Sequence, residues 1–155
     1  MESAEIEEIL ANCELFKGLG QNEITSIAKI CRVNTYDKGA LVYQAGDFGE
    51  NIYIIANGQV VLEKTIDMDS RQGRVVIATL GRGRVFGCWS TLLDEAHIMM
   101  LRTFCQTPAT ILVLKGAELR KEMVSDTRFG FNVMERLCLL LRERIQSAYG
   151  AMEKM

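Results

Sequence analysis

Y-D-K-G-A-L-V-Y-Q-A-G-D-F-G-E-N-I-Y-I-I-A-N-G-Q-V-V-L-E-K-T, from Tyr36 to Thr65, is followed from Gly73 to Gly87 by G-R-V-V-I-A-T-L-G-R-G-R-V-F-G. Glycines recur at positions 39, 46, 49, 58, 73, 81, 83 and 87, and short β-branched or aromatic runs fill the gaps. Short strand, turn, short strand is the rhythm of a small antiparallel barrel or jelly roll. Gly58, in A-N-G-Q, stands where a tight hairpin needs positive φ, which glycine reaches without steric cost.

Strands are predicted at about Arg32–Tyr36, Leu41–Gln44, Asn51–Ala56, Val60–Thr65, Val75–Leu80, Arg84–Phe86, Met99–Cys105 and Thr110–Leu114. Between the last three lie C-W-S-T-L-L-D-E-A (88–96), read as a short helical piece, and the turn Q-T-P-A (106–109). Before the strands, Ile6, Ile9 and Leu10 mark a short amphipathic helix. Ile24, Ile27, Ala28 and Cys31 recur at helical spacing after Asn22, a candidate N-cap, with Glu23 in the first turn. The fold class is therefore mainly β with flanking helices: a jelly-roll-like double-stranded β-helix plus a long C-terminal helix.

That last helix is expected from near Asp126, after a shorter one around Glu118–Val124. Met134, Cys138, Leu141, Ile145, Ala148 and Met152 alternate steps of four and three, a heptad seam. Phe129, Val133, Leu137 and Leu140 form a second apolar face beside it. One helix cannot turn both stripes toward its own β-roll, so the seam predicts a homodimer. The competing reading is a single wide stripe packed on the roll. Residues 1–124 are read as the roll with its N-terminal helices and 125–155 as the dimerisation helix of the same domain.

At 155 residues the chain can bury a core without metals or disulfides. A net charge of −2 gives no electrostatic reason to expect nucleic acid or an anionic membrane. Arg71, Arg74, Arg82 and Arg84 cluster locally and are read as solvated turn residues. Glu2, Glu5, Glu7 and Glu8 exclude a signal peptide, and no apolar run reaches the roughly 18 residues of a membrane span. A cytoplasmic location follows as an expectation. Five scattered cysteines without C-x-x-C argue against a disulfide framework or a zinc site. With one histidine, His97, a metal-dependent cupin site and a nucleophilic site both lack their residues. No enzyme activity and no cofactor are expected.

The glycine order, the entry segment L-F-K-G-L-G-Q-N-E (15–23) and the F-G-C-W-S-T-L run (86–92) together resemble the cyclic nucleotide-binding domain family. That family includes the catabolite activator protein and the regulatory subunit of protein kinase A, and the resemblance extends from about Leu15 to Tyr149. It implies a regulatory sensor whose phosphate-binding cassette runs from a glycine-glutamate pair, through a short helix, to an arginine followed by serine or threonine. The helix N-terminus and the arginine meet the cyclic phosphate, and the glutamate accepts from the ribose 2′-hydroxyl. The pocket candidates carried over are Phe86, Gly87, Cys88, Trp89, Ser90, Met99, Met100, Arg102 and Thr103.

Here the match departs from the family. Cys88 stands in the glutamate position, and a thiol is a poor acceptor. Counting back from the Pro108 turn places Met99-Met100 at the arginine-hydroxyl pair. The other register uses Arg102-Thr103, but an odd shift of three residues turns the following side chains to the opposite face. The methionine register is preferred. Tight binding of cAMP or cGMP is then not expected, and the pocket holds either a flatter, greasier ligand or filled core. Two alternatives stay open: a genuine cyclic nucleotide site built on Arg102-Thr103, and a thiol-redox or other small-ligand sensor using Cys88 at a helix N-terminus, where its pKa falls. The family's transcription factors continue into a helix-turn-helix after the long helix. This chain stops at Met155, so direct DNA binding is not expected: either the protein acts on a partner, or the chain is one domain of a longer protein.

Overall fold

The computed structural model describes residues 1–88 and 97–154. Of the expected short helix, everything after Cys88 lies outside the described residues, as do Trp89 and Ser90. Two helices come first, α1 (Ser3–Asn12) and α2 (Gln21–Ile30). The strands follow: β1 (Arg32–Tyr36), β2 (Leu41–Tyr43), β3 (Phe48–Gly49), β4 (Asn51–Asn57), β5 (Val60–Met68), β6 (Arg71–Leu80), β7 (Val85–Phe86), β8 (His97–Ile98), β9 (Arg102–Cys105) and β10 (Ala109–Lys115). Helices α3 (Gly116–Ser125) and α4 (Thr127–Glu153) close the chain.

The strands form antiparallel sheets ordered β1-β10-β4-β7 and β2-β9-β5-β6, with β3 and β8 paired separately. This is the expected β-roll. Strands β4 and β10 read as unbroken apolar runs because both of their faces are buried. Ile52, Ile54, Leu112 and Leu114 face outward, onto Ile9, Leu10, Phe16 and Ile27 of the N-terminal segment and onto Phe129, Val133 and Leu137 of α4. Their neighbours Tyr53, Ile55, Ile111 and Val113 face inward, with Val60, Leu62, Leu80 and Phe86. Each such side chain contributes about 1.5–3 kcal/mol on burial.

Local signals fix the helix starts. Asp126 caps α4, its carboxylate accepting from Phe129 N at 3.2 Å. The start of α2 corrects the expectation: Gly20, not Asn22, is the N-cap. Glu23 reaches back to Gly20 N at 3.2 Å, which completes only half of a capping box, since glycine has no side chain to return the bond.

Three other departures have physical causes. The hairpin β5–β6 is longer than expected, because Asp69 adopts positive φ (51°) and makes a two-residue turn that keeps even polar residues paired. Arg71 and Arg74 therefore stand on β6, not in a turn. The expected strand from Met99 begins only at Arg102. Met99 instead bonds to the 46–47 turn, its N–H donating to Asp47 O at 2.7 Å and its carbonyl accepting from Gly46 N at 2.9 Å.

Candidate ligand pocket

A cavity opens between the roll and α4. Its walls are Tyr43 (β2), Leu62 (β5), Phe86 (β7), Gly87, Cys88, the segment Met99–Leu101, and Leu140, Leu141 and Arg144 of α4. Behind it Phe86 stacks on Tyr53, with centroids 4.9 Å apart and planes at 9°, and Tyr43 tilts against both rings. Gly87 turns with φ 76°. A Cβ there would lie 2.7 Å from Asn51 O, so the chain enters the cassette by a path only glycine fits.

The structure brings most of the sequence-selected residues together. Phe86, Gly87, Cys88, Met99 and Met100 all line the cavity. Cys88 is 5% exposed and Met99 6%, so both stations of the expected nucleotide contacts are buried and neither carries a charge. Met100, by contrast, is 65% exposed.

Arg102 and Thr103 separate, as strand alternation requires. Arg102 pairs with Glu63 at 2.6 Å across the β5–β9 ladder and lies over the Phe104 ring, 4.7 Å from its centroid. Thr103 points into the roll, fully buried, and its hydroxyl has no geometrically formed hydrogen bond among the described residues. Burial raises the pKa of the neighbouring Tyr43 phenol, and Thr103 beside it opposes that shift in part. The expectation of a solvated Arg84 is corrected too. Arg84 Nε meets Glu14 at 2.6 Å, and Arg84 Nη2 meets Glu143 at 2.6 Å. The β7 strand is thereby tied to the N-terminal segment and to α4.

Sequence reasoning did not select Tyr43, Leu62, Leu101, Leu140 or Leu141 as cavity residues, and it missed the charged one, Arg144. Its Nη2 donates to Val85 O at 2.7 Å and lies 3.7 Å from Glu14 Oε1. It stands directly before the seam position Ile145 and in no family motif; only its helical spacing from Leu140 and Leu141 hinted that it shares their face.

Burial pushes the Cys88 thiol up to about 12, although Arg144 draws it back in part. This is the reverse of the lowered pKa expected for a helix N-terminus, and it removes the thiolate that redox chemistry needs. Cys13 and Cys31 are raised by burial as well, to about 11 and about 12. Cys88 is therefore expected to resist iodoacetamide at neutral pH in the folded protein and to react once denatured, as read by peptide mass spectrometry. Rapid alkylation of folded Cys88 would restore the thiol-sensor reading.

Among the described residues, no group of three or more His, Cys, Asp or Glu could hold a metal ion. No helix among them is long and apolar enough to cross a membrane.

The sequence signature described as the cyclic nucleotide-binding domain matches residues 33–126. The chain belongs to the cyclic nucleotide-binding domain family. Among curated proteins, this cyclic nucleotide-binding domain is 24% identical over 143 residues to the cGMP-dependent protein kinase egl-4 of Caenorhabditis briggsae, covering 90% of the chain and 19% of that kinase. It is 32% identical over 94 residues to cGMP-dependent protein kinase 2 of Mus musculus, covering 60% of the chain and 12% of the kinase. The chain thus spans a fifth or less of the length of these relatives. A cyclic nucleotide-binding domain from Methylobacillus flagellatus KT has the same fold, with a TM-score of 0.78 at 23% identity over 99% of this chain and 84% of that one. The regulatory domain of Toxoplasma gondii PKA, crystallised with cAMP, gives 0.71 at 18% identity, covering 91% of this chain and 50% of that one.

Proposed function

We propose that this cyclic nucleotide-binding domain is a non-catalytic sensor module that has lost cAMP and cGMP as ligands and works as a homodimer through α4. The observation that carries the first part is the pair of buried, uncharged side chains, Cys88 and Met99, at the two places where a cyclic nucleotide is expected to need a carboxylate and an arginine. Arg102 does not make good the loss, because it is committed to Glu63. The room inside the cavity, about 80 Å³, is also far below the roughly 300–1,000 Å³ of pockets for drug-sized ligands. Removing one partner of a desolvated charged pair costs roughly 2–5 kcal/mol, or about 30-fold to several thousand-fold in affinity.

The dimer rests on the division of α4 into two faces. Phe129, Val133, Leu137 and Leu140 are buried on the roll. The expected seam lies beside them: Met134 and Leu141 are partly covered, whereas Ile145 and Met152 are exposed. Phe131, 67% exposed and seven residues before Cys138, extends the seam by one step. Phe131, Cys138, Ile145 and Met152 then occupy one heptad position, and Met134, Leu141 and Ala148 the other. The occupant that this spacing fits is the same helix of a second copy.

Calorimetry with cAMP and with cGMP at millimolar concentration tests the ligand reading, and no saturable heat is expected. Micromolar binding overturns it. If that binding vanishes in Arg102→Ala, the site is one in which Arg102 leaves Glu63 for the phosphate.

A further inference from the structure

Arg144 brings a charge into the cavity from α4 rather than from the cassette. Its side chain is only 14% exposed, and its hydrogen bond goes to a neutral acceptor, Val85 O. The nearest carboxylate, Glu14, is 3.7 Å away and already engaged: Oε1 accepts from Val85 N at 2.9 Å and Oε2 from Arg84 Nε at 2.6 Å. A guanidinium this far out of water, with no short ion pair among the described residues, is costly unless something completes it. Arg144 lines the cavity together with Tyr43 and Cys88, so its charge borders that space. The rest of the cavity is apolar, with Leu62, Phe86 and Met99 around room for about 80 Å³ of guest.

We infer that the cavity binds a small monocarboxylate with an apolar body, its carboxylate on Arg144 and the Tyr43 hydroxyl and its body against Leu62 and Met99. This inference rests on the proposed reading of a sensor that has lost cyclic nucleotides. A planar carboxylate matches the guanidinium fork, and one cation suffices for it. A phosphate dianion matches poorly, since Glu14 stands close to the same guanidinium and repels the second charge. Arg144 lies on the helix that carries the seam, between Leu141 and Ile145, so occupancy acts directly on the dimer face.

The test uses the whole chain, with butyrate and benzoate as probes, butyramide and benzamide as neutral counterparts, and methyl phosphate and cAMP as further arms. Calorimetry gives affinity, and the Met99 methyl resonance reports entry into the cavity. Both acids are expected to bind and shift Met99, with the amides and methyl phosphate roughly 30-fold weaker or more. Arg144→Gln is expected to weaken the acids by a similar factor and leave the amides unchanged. Should Arg144→Gln melt early by circular dichroism, the acid-against-amide comparison in the native protein decides. Equal binding of acids and amides, equal binding of methyl phosphate, or an unmoved Met99 signal with either acid at millimolar concentration overturns the inference. Micromolar cAMP binding overturns the sensor reading beneath it, whereas silence from every probe overturns the carboxylate assignment alone.

Discussion

Phe131→Glu combined with Ile145→Glu is expected to leave the protein monomeric at every accessible concentration, while its melting temperature as a monomer barely changes. These side chains are 67% and 53% exposed in the single chain, so the roll loses little packing when they change. In the proposed dimer each copy would bury them at the same heptad position, so two substitutions would put four carboxylates into one seam. An unpaired buried charge costs several kcal/mol after relaxation. A micromolar dimer has only about 8 kcal/mol to lose. Sedimentation velocity of the native and altered proteins reads the outcome. Cys138 supplies an independent check, because a parallel, in-register seam sets it opposite Cys138 of the second copy, within disulfide reach. Mild oxidation with copper-phenanthroline is expected to trap the native dimer covalently and to leave the doubly substituted protein as single chains. A native protein that sediments as a monomer at high concentration would show that α4 buries its second face in some other way.

Gly58→Ala is expected to be the most damaging single methyl group that can be added to the roll. Gly58 has φ 95°, so any side chain there is strained at about 1–3 kcal/mol. The second penalty is steric: a Cβ would stand 2.4 Å from Pro108 O and 2.8 Å from Ala109 Cα. Both are backbone atoms of the neighbouring turn, which Thr107 also ties to Gln59 by a 2.9 Å hydrogen bond. They cannot swing aside as a side-chain tip would, and such overpacking adds about 1–3 kcal/mol. Strain and overpacking together come to roughly 2–6 kcal/mol, a fall in melting temperature of about 10 °C for a chain of this size. Gly39→Ala is the control. It is equally strained by φ 84°, but its Cβ would meet nothing within 4 Å, so it is expected to cost only the backbone part. Equal losses at the two glycines would mean that the turns part easily and that the close approach contributes nothing.

Those two glycines mark how far a linear reading reaches. Positive φ at Gly58 was legible because A-N-G-Q between two apolar runs is a local signal, and local signals need no knowledge of the fold. The same holds for the eight expected strands, the start of α4 near Asp126 and the two faces of α4, since periodicity and turn chemistry are written over a few residues. The close approach of Gly58 to Pro108 was not legible, because the residues are fifty apart and only the roll brings the turns together. The two-residue strands β3 and β8 escaped for a related reason: Phe48–Gly49 is too short to show alternation and exists only because His97–Ile98 lies alongside.

By itself, the sequence determined the β-roll and the glycine-led entry at Phe86-Gly87, and it raised the expectation that Cys88 and Met99 stand where a cyclic nucleotide needs other residues. Each follows from residue type in a short, ordered stretch. Tertiary structure alone decided which way the neighbouring charges face. Arg102 turns out to Glu63 because β9 pairs with β5 in a register that puts Thr103 inward. Arg144 enters the cavity because α4 lies across the roll with Leu140 against it. A charge in a low-dielectric cavity acts through what surrounds it within a few ångströms, and that neighbourhood is assembled from segments far apart along the chain.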